Sequence, residues 1–299
     1  MQGVIPILAV PFDETGEIGH AGINGQIDAV ARAGGDGIML FGFGSEYYKL
    51  TEADRLAILD TAIEAGNDAE LPVYASVTAQ ATRAAVDDAD TYADLGVDGL
   101  MILPPHQMNP SEDALLDHLR TVAEVTELPV MIQYAPGAVG VSIAPETFAE
   151  LSQSVPNVSH YKIESTPPGP YISALLEASD ESVEVLVGSA GRELIDALDR
   201  GAVGVIPSVG FHEVYLEIID RYLMGNRTGA IEVHTHVLPL LNQFSGAESF
   251  VYFDKWVQAD RGIIDSDLAH LRDPASEPDD QSVRLFREHY RRLADRVGL

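Results

Sequence analysis

A (β/α)8 TIM barrel with a C-terminal helical extension is the fold this sequence predicts, on three observations. Eight apolar runs alternate with eight helix-patterned stretches along the first three quarters of the chain. The runs at 4–10 and 100–103 are apolar almost throughout, as strands covered on both faces require, rather than alternating as in a half-exposed antiparallel sheet. Glycines sit at several helix-to-strand junctions (Gly35-Asp36-Gly37, Gly96-Val97-Asp98-Gly99, Gly201-Ala202-Val203-Gly204), where a helix C-cap needs a left-handed residue. A doubly wound open sheet is the alternative.

The elements follow in order. A strand over 3–10 precedes a helix near 24–33, and 36–42 precedes a helix near 52–65. Strands at 72–77, 98–103 and 129–134 lead into helices near 82–95, 112–125 and 145–153. The last three units pair 158–163 with 171–178, 183–187 with 192–199, and 204–209 with 213–223. Three more helical patterns, near 228–241, 249–259 and 282–296, make residues 226–299 an extension packed on a barrel of residues 1–225. The Pro-, Ser- and acid-rich stretch 273–281 reads as an exposed loop.

Composition excludes several classes of function. With 299 residues the chain can bury a sizeable core as one barrel. No apolar run is long enough to span a bilayer, and the N-terminus shows no charged region followed by an apolar one, so a soluble, cytoplasmic protein is expected. The absence of cysteine removes disulfides, thiolate metal sites and cysteine nucleophiles. A formal charge of −29, from 47 Asp and Glu spread over helix-like segments, speaks against nucleic-acid and anionic-membrane partners. Scarce lysine beside abundant acid resembles the proteins of salt-loving organisms.

Lys162 stands out, as one of three lysines (with Lys49 and Lys255) and at the end of the strand-like run 158–163. Lysine is the basic side chain whose pKa falls readily on burial, giving a neutral amine that attacks a ketone and forms a Schiff base; arginine stays charged. The structural alternative is a lysine paired with a carboxylate at a strand terminus. In a barrel the reactive groups gather at the C-terminal strand ends. Those ends carry Gly42-Phe43-Gly44-Ser45-Glu46, Pro104-Pro105-His106-Gln107, Gln133-Tyr134-Ala135-Pro136, Lys162-Ile163-Glu164-Ser165 and Ile206-Pro207-Ser208. They are expected to converge on one pocket, with an amine for the ketone of a 2-oxo acid and amides and a serine for its carboxylate.

Several motifs now combine: Gly3-Val4-Ile5-Pro6 with Pro11-Phe12, Gly42-x-x-x-Glu46 followed by Leu50-Thr51, Pro136-x-x-x-Gly140, Lys162, and Gly201-Ala202-x-Gly204-Val205-Ile206. Over residues 1–225 the chain resembles the dihydrodipicolinate synthase and N-acetylneuraminate lyase family. That resemblance implies a barrel, a homotetramer, Lys162 as Schiff-base lysine, and the segment around Gly44-Ser45 as the grip on the substrate carboxylate. Departures from the family pattern bear on the reaction. An ungapped reading of 128–140 puts Gln133 where the family has its proton-shuttling tyrosine and turns Tyr134 to the other side of the strand; a one-residue gap would restore Tyr134. Phe43 and Gly44 replace the paired threonines, Gln107 replaces the tyrosine from a neighbouring subunit, and Ala138 replaces the synthase's arginine.

Glu164, two residues after Lys162 and on the same strand face, is the candidate for moving protons. Gln133 with Lys162-x-Glu164 is similar to the branch that dehydrates 2-oxo-3-deoxy sugar acids, notably the 2-keto-3-deoxy-pentonate dehydratases. An aldolase splitting C3–C4 of such substrates uses the same iminium, and a catalytically idle sugar-acid sensor is an alternative of another class. Phe43, Gly44, Ser45, His106, Gln133, Ser165 and Ile206 are the candidate substrate contacts. Glu46 reads as structural, an acceptor for backbone N–H groups. His234 and His236 point to different helix faces, so no metal is expected. No cofactor is expected either, since Gly42-x-Gly44 lacks a third glycine and no Walker-type motif occurs.

Overall fold

The computed structural model of the protein describes residues 1–108 and 110–297, with the side chains of Ala138 and Val139 outside the described set. In chain order the elements begin with β1 (Gly3–Val4), α1 (His20–Ala33), β2 (Ile38–Leu40), α2 (Glu52–Ala69), β3 (Val73–Val77), α3 (Thr82–Leu95) and β4 (Gly99–Ile102). They continue with α4 (Glu112–Ala123), β5 (Val130–Tyr134), the single turn α5 (Pro136–Val139), α6 (Pro145–Ser154), β6 (Val158–Ile163), α7 (Gly169–Ala178) and β7 (Glu184–Val187). The last are α8 (Leu194–Asp199), β8 (Gly204–Val205), α9 (His212–Leu223), α10 (Arg227–Leu241), α11 (Ala247–Asp260) and α12 (Asp280–Val297). None of the helices among the described residues is long and apolar enough to cross a membrane.

The chain divides into two compact units. The first, Met1–Ile5 with Pro72–Ile206, holds seven strands in the order β1-β8-β7-β6-β5-β4-β3. The pairs are parallel, with Gln133 beside Lys162 and Lys162 beside Leu186. Their side chains are buried on both faces, as the continuous apolar runs predict: Leu100, Met101, Ile102, Val130, Met131 and Ile132 are all inaccessible to solvent. At the β1–β8 edge Gly3 meets Gly204, and a Cβ on Gly204 would lie 2.2 Å from the Gly3 carbonyl oxygen, so this pair closes only without a side chain.

The second unit, Pro6–Leu71 with the chain from Pro207 onward, carries β2, helices α1 and α2, and the helices α9 to α12. Helix α2 starts on a reciprocal cap: Thr51 Oγ1 accepts the Asp54 N–H at 3.1 Å while Asp54 Oδ2 accepts the Thr51 N–H at 2.8 Å. The strand expected over 3–10 is shorter than its apolar run suggests. Its ladder ends at Val4, and within this unit only isolated bridges from Ile7 to Met39 and to Ser208 follow. Pro6 and Pro207 have no N–H to give, which accounts for the interruption. Helix α3 ends as its junction glycine indicates, on left-handed Gly96 (φ 97°), whereas α1 ends one residue before the expected Gly35, on left-handed Gly34 (φ 82°).

Candidate functional site

In the first unit the end of β6 brings together the groups with the chemistry to act. Glu164 N donates to the Tyr134 carbonyl at 2.8 Å, extending the β5–β6 ladder one residue beyond Ile163. Lys162 and Glu164 therefore share a face, and Lys162 Nζ lies 3.4 Å from Glu164 Oε1. From β5, Gln133 Nε2 donates to Glu164 Oε2 at 2.5 Å, and from the β7 exit the Ser189 N–H donates to Glu164 Oε1 at 2.9 Å. The carboxylate thus collects an ammonium, an amide and a backbone N–H. Burial alone would raise its pKa; the Lys162 charge, the Gln133 amide and the Ser189 N–H outweigh that cost and hold Glu164 below the usual carboxylate value.

Tyr134 is elsewhere. Its ring stacks on Tyr171 at 4.3 Å between centroids and meets Phe148 edge-on at 5.5 Å, in the aromatic layer between β5 and helices α6 and α7. Tyr161 joins this layer, its hydroxyl donating to the Phe148 carbonyl at 2.8 Å. The one-residue alternation of the strand thus puts an amide, and not a phenol, beside Lys162 and Glu164.

The β7 exit is unusual in its backbone. Ser189, Ala190 and Gly191 have φ of 52°, 53° and 70°, a left-handed turn closed by the bond from Gly191 N to the Gly188 carbonyl at 2.9 Å. The left-handed conformation costs an L residue about 1–2 kcal/mol, and two of these three carry a Cβ. Sequence reasoning passed over this segment, although Gly188-Ser189-Ala190-Gly191 directly after an apolar strand is a small-residue signal of tight backbone.

Other expected contacts in this unit are bonded locally. The His106 and Gln107 N–H groups both donate to Gln80 Oε1, at 2.8 and 3.1 Å, and His106 Nδ1 lies 3.2 Å from the Pro104 carbonyl. Ser165 Oγ donates to the Pro167 carbonyl at 3.4 Å, and the N–H of buried Ile206 donates to Val187 at 3.1 Å. None of these bonds reaches Lys162 or Glu164.

Phe43, Gly44 and Ser45 belong to the second unit, in a 3-10 turn. Ser45 is fully buried and its Oγ donates to the Leu8 carbonyl at 2.6 Å, so its hydroxyl proton is engaged. A Cβ on Gly44 would lie 2.7 Å from Ile7 and 2.9 Å from Phe250, and the Phe43 ring meets Tyr47 edge-on. Glu46 is held by side-chain cations more than by the backbone N–H groups expected. Its carboxylate receives Lys255 Nζ at 2.7 Å, Lys49 Nζ at 3.0 Å and the Arg272 N–H at 3.3 Å. Lys255 also donates to the His270 carbonyl at 2.6 Å, and burial pushes its pKa down to about 8. The Glu46–Lys255 pair is 0% exposed on both sides, whereas the Lys162 and Glu164 side chains are 8% and 15% exposed. Lys162 thus keeps a small exposed surface where Lys255 has none. Among the described residues no cluster of His, Asp and Glu is arranged to hold a metal ion.

Comparison with known proteins agrees with the fold and the motifs. Residues 1–288 match the dihydrodipicolinate synthetase family. Relatives include the 4-hydroxy-tetrahydrodipicolinate synthases of Oceanobacillus iheyensis, 30% identical over 80% of this chain and 81% of that protein, and of Parasynechococcus marenigrum, 32% identical over 79% and 78%. The crystal structure of dihydrodipicolinate synthase from Rhodopseudomonas palustris superimposes with a TM-score of 0.90 at 23% identity, covering 98% of this chain and 97% of that one. With the match spanning nearly the whole chain and eight strand-helix units in the right order, the protein belongs to the dihydrodipicolinate synthetase family and is a Schiff-base lyase built on a (β/α)8 barrel.

Proposed function

We propose that the protein dehydrates a 2-oxo-3-deoxy sugar acid of the 2-keto-3-deoxy-pentonate type, with Lys162 as the Schiff-base lysine and Glu164 as the proton carrier. The observation that carries this reading is the ionised Glu164 carboxylate 3.4 Å from Lys162 Nζ, with Gln133 bonded to it in the place where a shuttling tyrosine is expected. The Lys162 ammonium gives up a proton, its free amine adds to the C2 ketone, and that proton departs with the carbinolamine hydroxyl as water, giving an iminium that acts as electron sink. Because Glu164 begins as an acceptor, the first proton it handles is the one it removes from C3, leaving an enamine. The enamine then expels the C4 hydroxyl, which departs as water with the proton Glu164 has just taken. The unsaturated iminium loses a proton from C5 and regains one at C3, and hydrolysis with tautomerisation of the resulting C5 enol frees Lys162 and the 2,5-dioxo acid. Glu164 must therefore take a proton before it can give one.

The same ionised carboxylate favours a second reading. A retro-aldol split of C3–C4 needs a base on the C4 hydroxyl, and Glu164 in its resting form is such a base. Synthase activity, the name carried by the two relatives, fits less well with Gln133, Gln107 and Ala138 at three of the departing positions. The homotetramer implied by the resemblance is part of this proposal and is checked by sedimentation velocity.

Borohydride reduction in the presence of pyruvate or a 2-oxo-3-deoxy sugar acid, with mass mapping, tests the covalent step: Lys162 is expected to gain the reduced adduct. A protein left unlabelled at Lys162 would refute the covalent role proposed for this lysine. Product analysis then separates the two enzyme readings, a single 2,5-dioxo acid for the dehydratase against pyruvate plus an aldehyde for the aldolase.

A further inference from the structure

The geometry points to the turn Gly188-Ser189-Ala190-Gly191 as a positioning element, which holds the Glu164 carboxylate ionised and aimed beside Lys162 through the Ser189 N–H. This inference deepens the proposed function and rests on Glu164 as its proton carrier.

Two independent features of the turn serve that end. The first is space. Gly188 has φ −95° and ψ −143°, outside the extended region that L residues favour, so conformation already leans towards glycine there. Glycine is required by Glu164: a Cβ at 188 would lie 2.3 Å from Glu164 Cγ, 2.5 Å from Cδ and 2.4 Å from Oε1. The second is direction. Left-handed φ at Ser189 and Ala190 is disfavoured for both residues, and it is this turn that presents the Ser189 N–H to Glu164 Oε1 at 2.9 Å. A backbone donor cannot rotate away as a side chain can, and it favours only the charged form of the acceptor it faces. Lys162 is the charged group facing the carboxylate, and Gln133 the neutral one, so the turn supplies the one donor fixed in place by the main chain. The residue that moves protons is thus kept ready by a strand exit that itself touches no reacting atom.

The test reads the titration of Glu164 directly, as the difference infrared spectrum of the carboxylate between the wild type and Glu164→Gln. In Gly188→Ala the new methyl drives the carboxylate off the Ser189 N–H, and its proton affinity is expected to rise at least tenfold, with the acid limb of turnover moving up by the same factor. Lys162 trapping by pyruvate at pH 8 should persist. An unchanged Glu164 titration in folded Gly188→Ala overturns the inference, whatever the substrate proves to be. If Gly188→Ala does not fold, the wild type still decides. The Ser189 amide proton shift should follow the Glu164 titration and lose that response in Glu164→Gln; a flat response overturns the inference. Loss of pyruvate trapping in the wild type would instead refute the proposed function and leave the hydrogen-bond titration standing.

Discussion

At the scale of single residues, the roles proposed for Lys162 and Glu164 differ, and their variants should fail differently. Glu164→Gln keeps the size of the side chain and removes the proton carrier, so turnover should fall about 10²- to 10⁴-fold while borohydride trapping of Lys162 persists. Lys162→Arg should abolish both, because a guanidinium does not condense with a ketone. Steady-state rates with a 2-oxo-3-deoxy sugar acid, beside trapping with pyruvate, check the pair; equal loss of both signals in Glu164→Gln would contradict the division. Much at this scale was legible in the sequence. An i, i+2 spacing on a strand places two side chains on one face, and an ungapped count along β5 tells Gln133 from Tyr134. Ser189 was not legible, because its contribution is a main-chain N–H and no side-chain chemistry marks it. Nor was the partnership of Lys255 with Glu46, two residues 209 positions apart that meet only through tertiary packing.

At the scale of elements, most boundaries follow from periodicity and punctuation, as in α3, whose start at Thr82 and stop before Gly96 are written in the chain. Strand length is read less well, since apolar content runs unbroken past Pro6 while pairing continues there only as isolated bridges. The packing of α3 on α4 holds a further element-scale consequence. His118 of α4 is buried, with Nδ1 3.0 Å from Thr82 Oγ1 and Nε2 without a partner among the described residues. Burial pushes its pKa from 6.5 down to about 4. Below 6.5 the unfolded chain binds a proton that the folded one refuses, so the stability this site contributes is complete above that pH and is lost as pH falls toward 4. The loss approaches about 3 kcal/mol when protonation is complete. Urea unfolding of wild type and His118→Leu at pH 7 and pH 4.5 should show a smaller acid-induced drop for the variant. Equal drops would mean that the helix pair does not sense this histidine.

At the scale of the whole molecule the dominant quantity is the charge of −29. Like charges spread over helix surfaces repel at low ionic strength, and molar salt shortens the screening length to about 3 Å. The melting temperature is therefore expected to rise strongly from low to molar salt, by scanning calorimetry in sodium or potassium chloride; a constant midpoint would contradict that account. Composition makes this property the most legible of all, because it needs no knowledge of which residues touch.

The cations that remain in so acidic a chain have one more consequence. Lys49, Lys162 and Lys255, the full set of lysines in the sequence, have side chains 5%, 8% and 0% exposed, each bound to glutamate. An acylating dye or an amine-coupled resin thus meets an exterior almost bare of ε-amino handles, and tryptic digestion of the native form must rely on arginine. Any stoichiometric ε-acylation under gentle conditions, mapped to its lysine, would then report which of these three buried ammonium groups opens.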